Sequence, residues 1–259
     1  MKSFEISLNL KEHKEVNMQI SNVFRRELQG YFSSPVAYIF LVIFLMTTAW
    51  FAFDWNQFYE GRQATLEPFF RHMAIFYLFF IPAVAMRLWS EERKSGTIQL
   101  LLTLPITTQQ AVIGKFLAAW AFLGIALFLT FPMILTVAYL GNPDPGVIFS
   151  SYLGAFLTAG AYLSIGSLTS ALTKNQVVSF VLSAVFCLVI LVAGFPMVTG
   201  YLEFLPTILT DAIVSLGFFQ HFESMKKGVI YFGDIFYFIS LIVLVLFANI
   251  QVIEAKKAS

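Results

Sequence analysis

Apolar residues fall along the chain in six long runs separated by short polar segments. The runs extend approximately from Val36 to Phe53, Phe70 to Leu88, Phe116 to Leu140, Val147 to Leu172, Val177 to Met197 and Ile235 to Ile253. Each is about the 20-residue length that an α-helix needs to cross the hydrocarbon core of a bilayer. Their interiors hold no Asp, Glu, Lys or Arg. Stretches such as 38–45 do not alternate polar with apolar residues, as barrel strands do, and isolated strands cannot satisfy their backbone groups in lipid. The pattern predicts an all-α, polytopic membrane protein with six transmembrane helices. Composition sharpens this: hydrophobic residues make up 58% of the 259-residue chain and charged residues 12%, where soluble chains are about a quarter charged. Thirty phenylalanines exceed what a soluble core of this size can hide. A soluble enzyme, a disordered chain and a nucleic-acid-binding domain are excluded.

Charge sets the expected direction. With both ends on one side, that side collects Lys2, Lys11, Lys14, Arg25, Arg26, Arg87, Arg93, Lys94, Lys115, Lys174, Lys256 and Lys257, against Arg62, Arg71, Lys226 and Lys227 on the other. The excess of Lys and Arg marks the cytoplasmic side, so cytoplasmic N- and C-termini are expected, in agreement with the even number of spans. The polar first thirty-odd residues show no cleavage-site pattern, and the first span is expected to serve as its own targeting signal.

Three organisational units follow: a polar N-terminal tail over 1–19, an amphipathic interfacial helix over 20–34, and a six-span membrane domain over 35–259. Nothing before Met18 is periodic, which leaves open a disordered tail and a start at Met18. From Ile20 to Phe32 the apolar positions Ile20, Val23, Phe24, Leu28, Tyr31 and Phe32 recur at helical spacing, with Arg25, Arg26, Glu27 and Gln29 opposite. Such a helix lies in the headgroup region until Ser33-Ser34-Pro35 breaks it. Between spans 2 and 3, a charged turn at Glu91–Lys94 meets a breaker at Ser95-Gly96. Thr97 is a fair N-cap for a short apolar helix, Ile98–Leu104, that stops before Pro105. Thr107 or Thr108 can cap a further helix leading into span 3. The short helix either rests in the interface with no special role or docks a cytoplasmic partner. Between spans 5 and 6, the semi-apolar stretch Val198–Asp234 predicts one or two short extracytoplasmic helices.

Candidate chemistry is sparse. Gly114-Lys115 is followed by Phe116, and position 109 is Gln, so no phosphate loop exists and the chain is not expected to bind ATP. His72 and His221 have no second ligand at metal spacing and read as ordinary interfacial histidines. Asp54, Glu60 and Glu67 read as a solvated outer loop. Ion-coupled carriers keep a titratable group at mid-membrane; its absence from the six runs points to an energy source outside this chain. Small residues at (i, i+4) spacing mark close packing in spans 4 and 5: Ala155/Ala159, Gly160/Ser164, Ser167/Ala171, and Ser179/Ser183/Cys187. Packing within the chain, a dimer seam and a pathway lining all fit.

The pattern Glu91-Glu92-Arg93-Lys94-Ser95-Gly96-Thr97-Ile98-Gln99-Leu100-Leu101-Leu102-Thr103-Leu104-Pro105, with Gly114-Lys115 opening the next span, resembles type-2 ABC-exporter permeases. Gln99 departs from the Glu common there. Ser170–Val177 and His221–Ile230 are similar to the gliding-motility-associated branch, with Tyr231 where relatives often carry an acid and Asp234 three residues on. The resemblance implies a non-catalytic permease subunit of an ATP-driven exporter in the bacterial inner membrane. Its implied partners are a cytoplasmic ABC ATPase dimer that binds the ATP and Mg, a second permease chain and a periplasmic-domain accessory subunit. No cofactor is implied for this chain itself. Ile98–Leu104 would then be a coupling helix, with Glu91, Glu92, Arg93, Gly96, Thr97, Ile98, Leu101, Leu102, Leu104 and Pro105 at the ATPase. Phe24, Arg25, Arg26 and Leu28 would form a second contact. The alternative is a non-transporting scaffold or mechanotransmitting subunit of an envelope complex.

Overall fold

The computed structural model describes residues 2–55, 65–97, 106–195 and 207–257, with side chains described from Met18 onward except at 54, 55, 207–209, 211 and 257. All regular structure among these residues is helical. The elements are α1 (Lys2–Ser33), α2 (Pro35–Trp50, extended by a π-helical turn, Phe51–Trp55), α3 (Glu67–Phe70), α4 (Met73–Ala85), α5 (Arg87–Ser95) and α6 (Thr108–Phe128). They continue with α7 (Pro132–Leu140), α8 (Pro145–Leu172), α9 (Gln176–Ala193), α10 (Thr207–Ser215), α11 (Phe218–Lys226) and α12 (Phe232–Lys257). Six stretches are long and apolar enough to cross a membrane: Pro35–Phe53, Met73–Ser95, Thr108–Leu140, Pro145–Leu172, Gln176–Ala193 and Phe232–Lys256.

Local chemistry sets where these helices start. Ser34, in extended conformation, accepts the Val36 amide, with Pro35 at the first helical position. Thr107 and Gln110 form a reciprocal capping box. Asp144 accepts from Gly146 ahead of α8, and Asn175 from Val177 and Val178 ahead of α9. A polar cap therefore opens four of the six spans, and in three of them it lies within a few residues of where the apolar run begins.

The differences from the sequence reading lie at helix ends. Helix α1 begins at Lys2, so the backbone of the polar stretch is helical too. It holds no proline, and its first glycine is Gly30. Residues 91–94 continue α5 rather than turning, because Glu, Arg and Lys are good helix formers. The helix stops only at Gly96, whose φ of 75° lies in the left-handed region that favours glycine. Thr97 points its hydroxyl back to Ser95 Oγ at 2.8 Å and so closes the end of α5. Span 3 starts at Thr108, eight residues before its apolar run. The predicted helix Ile98–Leu104 and Pro105 lie outside the described residues. Two short helices, α10 and α11, do lie between the last two spans.

Helix α8 is the axis of the bundle, in contact with α4, α5, α6, α9, α11 and α12. Its small residues make this approach close: Ala155, Ala159, Gly160, Ala161, Ser164, Ser167 and Ala171 are all buried. Ser179, Ser183 and Cys187 on α9 are buried as well. Both small-residue stripes therefore pack within the chain. Larger side chains bracket the axis. Trp120 of α6 stacks on Phe156 at 4.5 Å and donates its Nε1–H to the Phe156 carbonyl, and Tyr162 donates to the Ala74 carbonyl at 3.1 Å.

Candidate functional site

The end of the bundle that carries both chain termini holds a buried charge. Lys115, near the start of α6, is 3% exposed. An unpaired ammonium in such a place costs several kcal/mol, so it must be answered from neighbouring helices. Glu92 of α5 approaches Lys115 Nζ at 2.7 Å and Glu27 of α1 at 3.2 Å. Trp89, also on α5, places its ring under the ammonium at 5.4 Å. One cation thereby ties together three helices far apart in sequence. Burial alone would push the Glu27 carboxyl up, but Lys115 and Arg26 outweigh it and hold the group below the usual carboxylate range.

Gly114 explains how α1 reaches this position. A Cβ there would come within 2.8 Å of both Val23 Cγ1 and Cβ, and 3.3 Å of the Ile20 carbonyl. Only a residue without a side chain lets α1 lie this close along α6. The Gly-Lys pair thus has two structural tasks: the glycine admits the helix and the lysine clasps it. Tyr31 adds to the contact by stacking on Phe122 at 4.9 Å.

Helix α5 is fastened in turn to the end of α8. Ser170 Oγ accepts the Trp89 and Ser90 amides, each at 3.0 Å, and donates to the Met86 carbonyl. Trp89 Nε1 donates to Ser167 Oγ, which also accepts from Asn249 of α12 at 2.7 Å. Arg93 donates to the Ala171 carbonyl at 2.7 Å, and Lys256 donates to the Ala171 and Leu172 carbonyls. The last carbonyls of α8, which have no intrahelical partner, are capped by cations from two other helices.

The residues assigned to partner docking divide accordingly. Glu92 and Arg93 are half-buried and bonded inside the chain, while Glu91 is exposed. Arg25 and Arg26 are exposed, Arg26 pairing with its neighbour Glu27; Leu28 packs on the core and Phe24 is half-buried. Gly96 and Thr97 form the end of α5, and Ile98, Leu101, Leu102, Leu104 and Pro105 lie outside the described residues. Sequence reasoning did not assign roles to Lys115, Glu27 or Trp89. The available signal was a lysine next to Gly114 at the mouth of an apolar span, which needs an anion to be buried at all.

The opposite end also holds ions. Lys226 is buried and pairs with Glu223 at 2.8 Å, with Glu67 at 3.9 Å. Glu67 also faces Arg71, so it belongs to this cluster rather than to a free loop. Burial pushes Glu223 up, but Lys226 and Lys227 together hold it below the usual range. His221 is engaged on every side: Asp234 at 2.7 Å, the Ser215 carbonyl at 3.0 Å, and the Tyr237 ring stacked at 4.0 Å.

Residues 8–247 match the family model for ABC-2 family transporter proteins. The chain belongs to that family. No curated protein matches it. As an ABC-2 permease it is a multi-pass, transmembrane component of an ABC transporter, a non-catalytic kind of subunit, and the family implies an ABC ATPase as its partner. The junction around Lys115 lies within the matched region of this permease, and so does the sequence between α5 and α6.

Proposed function

We propose that this permease is the membrane subunit of an ATP-driven exporter and that the Lys115 junction transmits the ATPase stroke into the bundle. The observation that carries this is the double grip of one buried lysine on Glu92 and Glu27. Both helices it holds lead to segments assigned to the ATPase. Helix α5 runs into Ile98–Pro105, and α1 carries Phe24, Arg25, Arg26 and Leu28. A push on either segment moves α1, α5 and α6 as one body, and α5 passes it to α8 through Ser170 and Arg93. Packed elements that switch between two discrete arrangements carry such a push.

In this reading both termini are cytoplasmic and the membrane is the bacterial inner membrane. A cytoplasmic ATPase dimer binds ATP and Mg, a second permease chain completes the path, and a periplasmic-domain subunit can join the complex. The segments Ser170–Val177 and His221–Ile230 favour the gliding-motility-associated branch. The test is co-purification with an ABC ATPase co-expressed with the permease. Leu101→Asp or Leu102→Asp should abolish complex formation and ATPase stimulation; if both survive, the docking assignment is wrong.

A further inference from the structure

Beside the Lys115 junction lies a cleft of about 390 Å³ between α1, the start of α2, the α4–α5 turn and α6. Its lining is mixed. Val36, Ala37, Phe40, Val84 and Phe122 give it an apolar lining, and Glu27, Arg87, Glu91 and Lys115 add charge to it. The cleft sits where Ser34-Pro35 turns α1 into the first span; with α1 read as an interfacial helix, that is the boundary between headgroup and hydrocarbon depth. An occupant suited to it has an apolar chain at one end and charge at the other.

The charges specify that occupant further. Lys115 is already answered by Glu27 and Glu92. That leaves Arg87 and Glu91, one helical turn apart on α5. Among the described residues no carboxylate stands within ion-pair distance of Arg87, and no cation within that distance of Glu91. An Arg that precedes a Glu by four residues is the weaker order for a helical pair, which fits their remaining apart. Arg87 is half-buried beside the cleft and Glu91 is exposed at its rim. Side chains four apart on a helix leave it about 6 Å from each other at Cβ, so Arg87 and Glu91, beside an apolar lining, can take a phosphate and an ammonium joined by a two-carbon link. The guanidinium takes phosphate oxygens, and the carboxylate accepts from an amine that has N–H groups to donate.

We infer that this cleft is a binding site for a phospholipid with a primary-amine zwitterionic headgroup, phosphatidylethanolamine in chemical class. Its phosphate lies on Arg87, its amine on Glu91, and an acyl chain lies along Val36, Phe40 and Phe122. The inference does not depend on the direction of transport or on the ATPase contact.

Gly30 supplies a clean test, because it lines the cleft and a Cβ there meets nothing within 4 Å. Gly30→Leu fills the space without changing a charge, at a helical position where leucine is favoured over glycine. The full-length permease, purified from membranes in its complex, is titrated in detergent with equimolar phosphatidylethanolamine, phosphatidylcholine and phosphatidylglycerol of one acyl composition. Retained lipid is read by native mass spectrometry. The wild type should retain the ethanolamine lipid at least fivefold over either of the others. Arg87→Gln and Gly30→Leu should each reduce it to the choline-lipid level, and Glu91→Gln should erase the ethanolamine-over-choline preference. Equal retention of all three lipids by the wild type, a preference for the glycerol lipid, or undiminished ethanolamine lipid on folded Gly30→Leu would each overturn the proposal. Gly30→Leu decides the matter alone if Arg87→Gln fails to fold.

Discussion

Each end of the bundle buries a lysine, and the two are held in different ways. Lys226 is clasped by Glu223, three residues before it on α11, with Glu67 adding a longer contact. Lys115 has no partner on its own helix; its two carboxylates come from α1 and α5. The first arrangement is formed largely when one helix forms. The second exists only when three helices are assembled, so it reports on their relative position. A local pair can stabilise an element, whereas a pair across elements can carry force between them. This is why the Lys115 end, and not its counterpart, is the better candidate for coupling.

The contrast can be broken by mutation. Lys115→Met should have the largest effect, because it strands two partly buried carboxylates. Loss of one partner from a buried ion group costs about 3–5 kcal/mol, and a marked fall in the thermal midpoint of the detergent-purified permease should show it. Lys226→Met removes a charge-assisted pair with a more exposed partner, worth about 1.5–3 kcal/mol, and should lower the midpoint less. If the two variants fell equally, the distinction between the ends would fail. Gly114→Val comes next, since overpacking of a close helix contact costs about 1–3 kcal/mol. It should free α1 for proteolysis ahead of the rest of the chain. Trp89→Phe keeps an aromatic ring but loses the indole donor to Ser167 and some buried volume, and should cost at least about 1 kcal/mol.

Acid provides the smallest and most graded perturbation. Lys115 and Arg26 hold Glu27 below its ordinary value of 4.5. A carboxyl lowered by folding contributes stability that is fully present above its ordinary value and is lost as pH falls through the lowered one. Protection of α1 amides from hydrogen exchange should therefore hold down to about pH 4.5 and decline below it, and Glu27→Gln should flatten that decline. Glu223 is lowered in the same sense, so α11 should loosen over the same acid window.

The spans were legible because lipid demands uninterrupted apolar runs, and each run overlaps one of the six membrane-length helical stretches. Their ends were less so. Hydropathy stops counting at Leu88 and begins again at Phe116, yet the helices run on to Ser95 and start at Thr108. The added turns carry Glu92, Arg93 and Lys115, which are tolerated because they bond to one another or to the end of α8. Their partners lie tens of residues away, so no local pattern announces them. Asp234 shows the same at the other end: it lies in the last span, buried, because His221 reaches it from α11. The Gly-Lys pair was visible as a motif, but its meaning rests on Val23 and Glu27, which only the packing of α1 brings near.

The central claim is that α1, α5 and α6 move as one body. It is tested most directly by spin labels at Arg26 and Lys94, both exposed, with pulsed dipolar distances measured in nanodiscs with the ATPase. The Arg26–Lys94 distance distribution should be the same with and without ATP, and should broaden when Lys115 is replaced by Met. A distance that changes on ATP binding in the wild type would show that the two helices move separately, and would contradict the account.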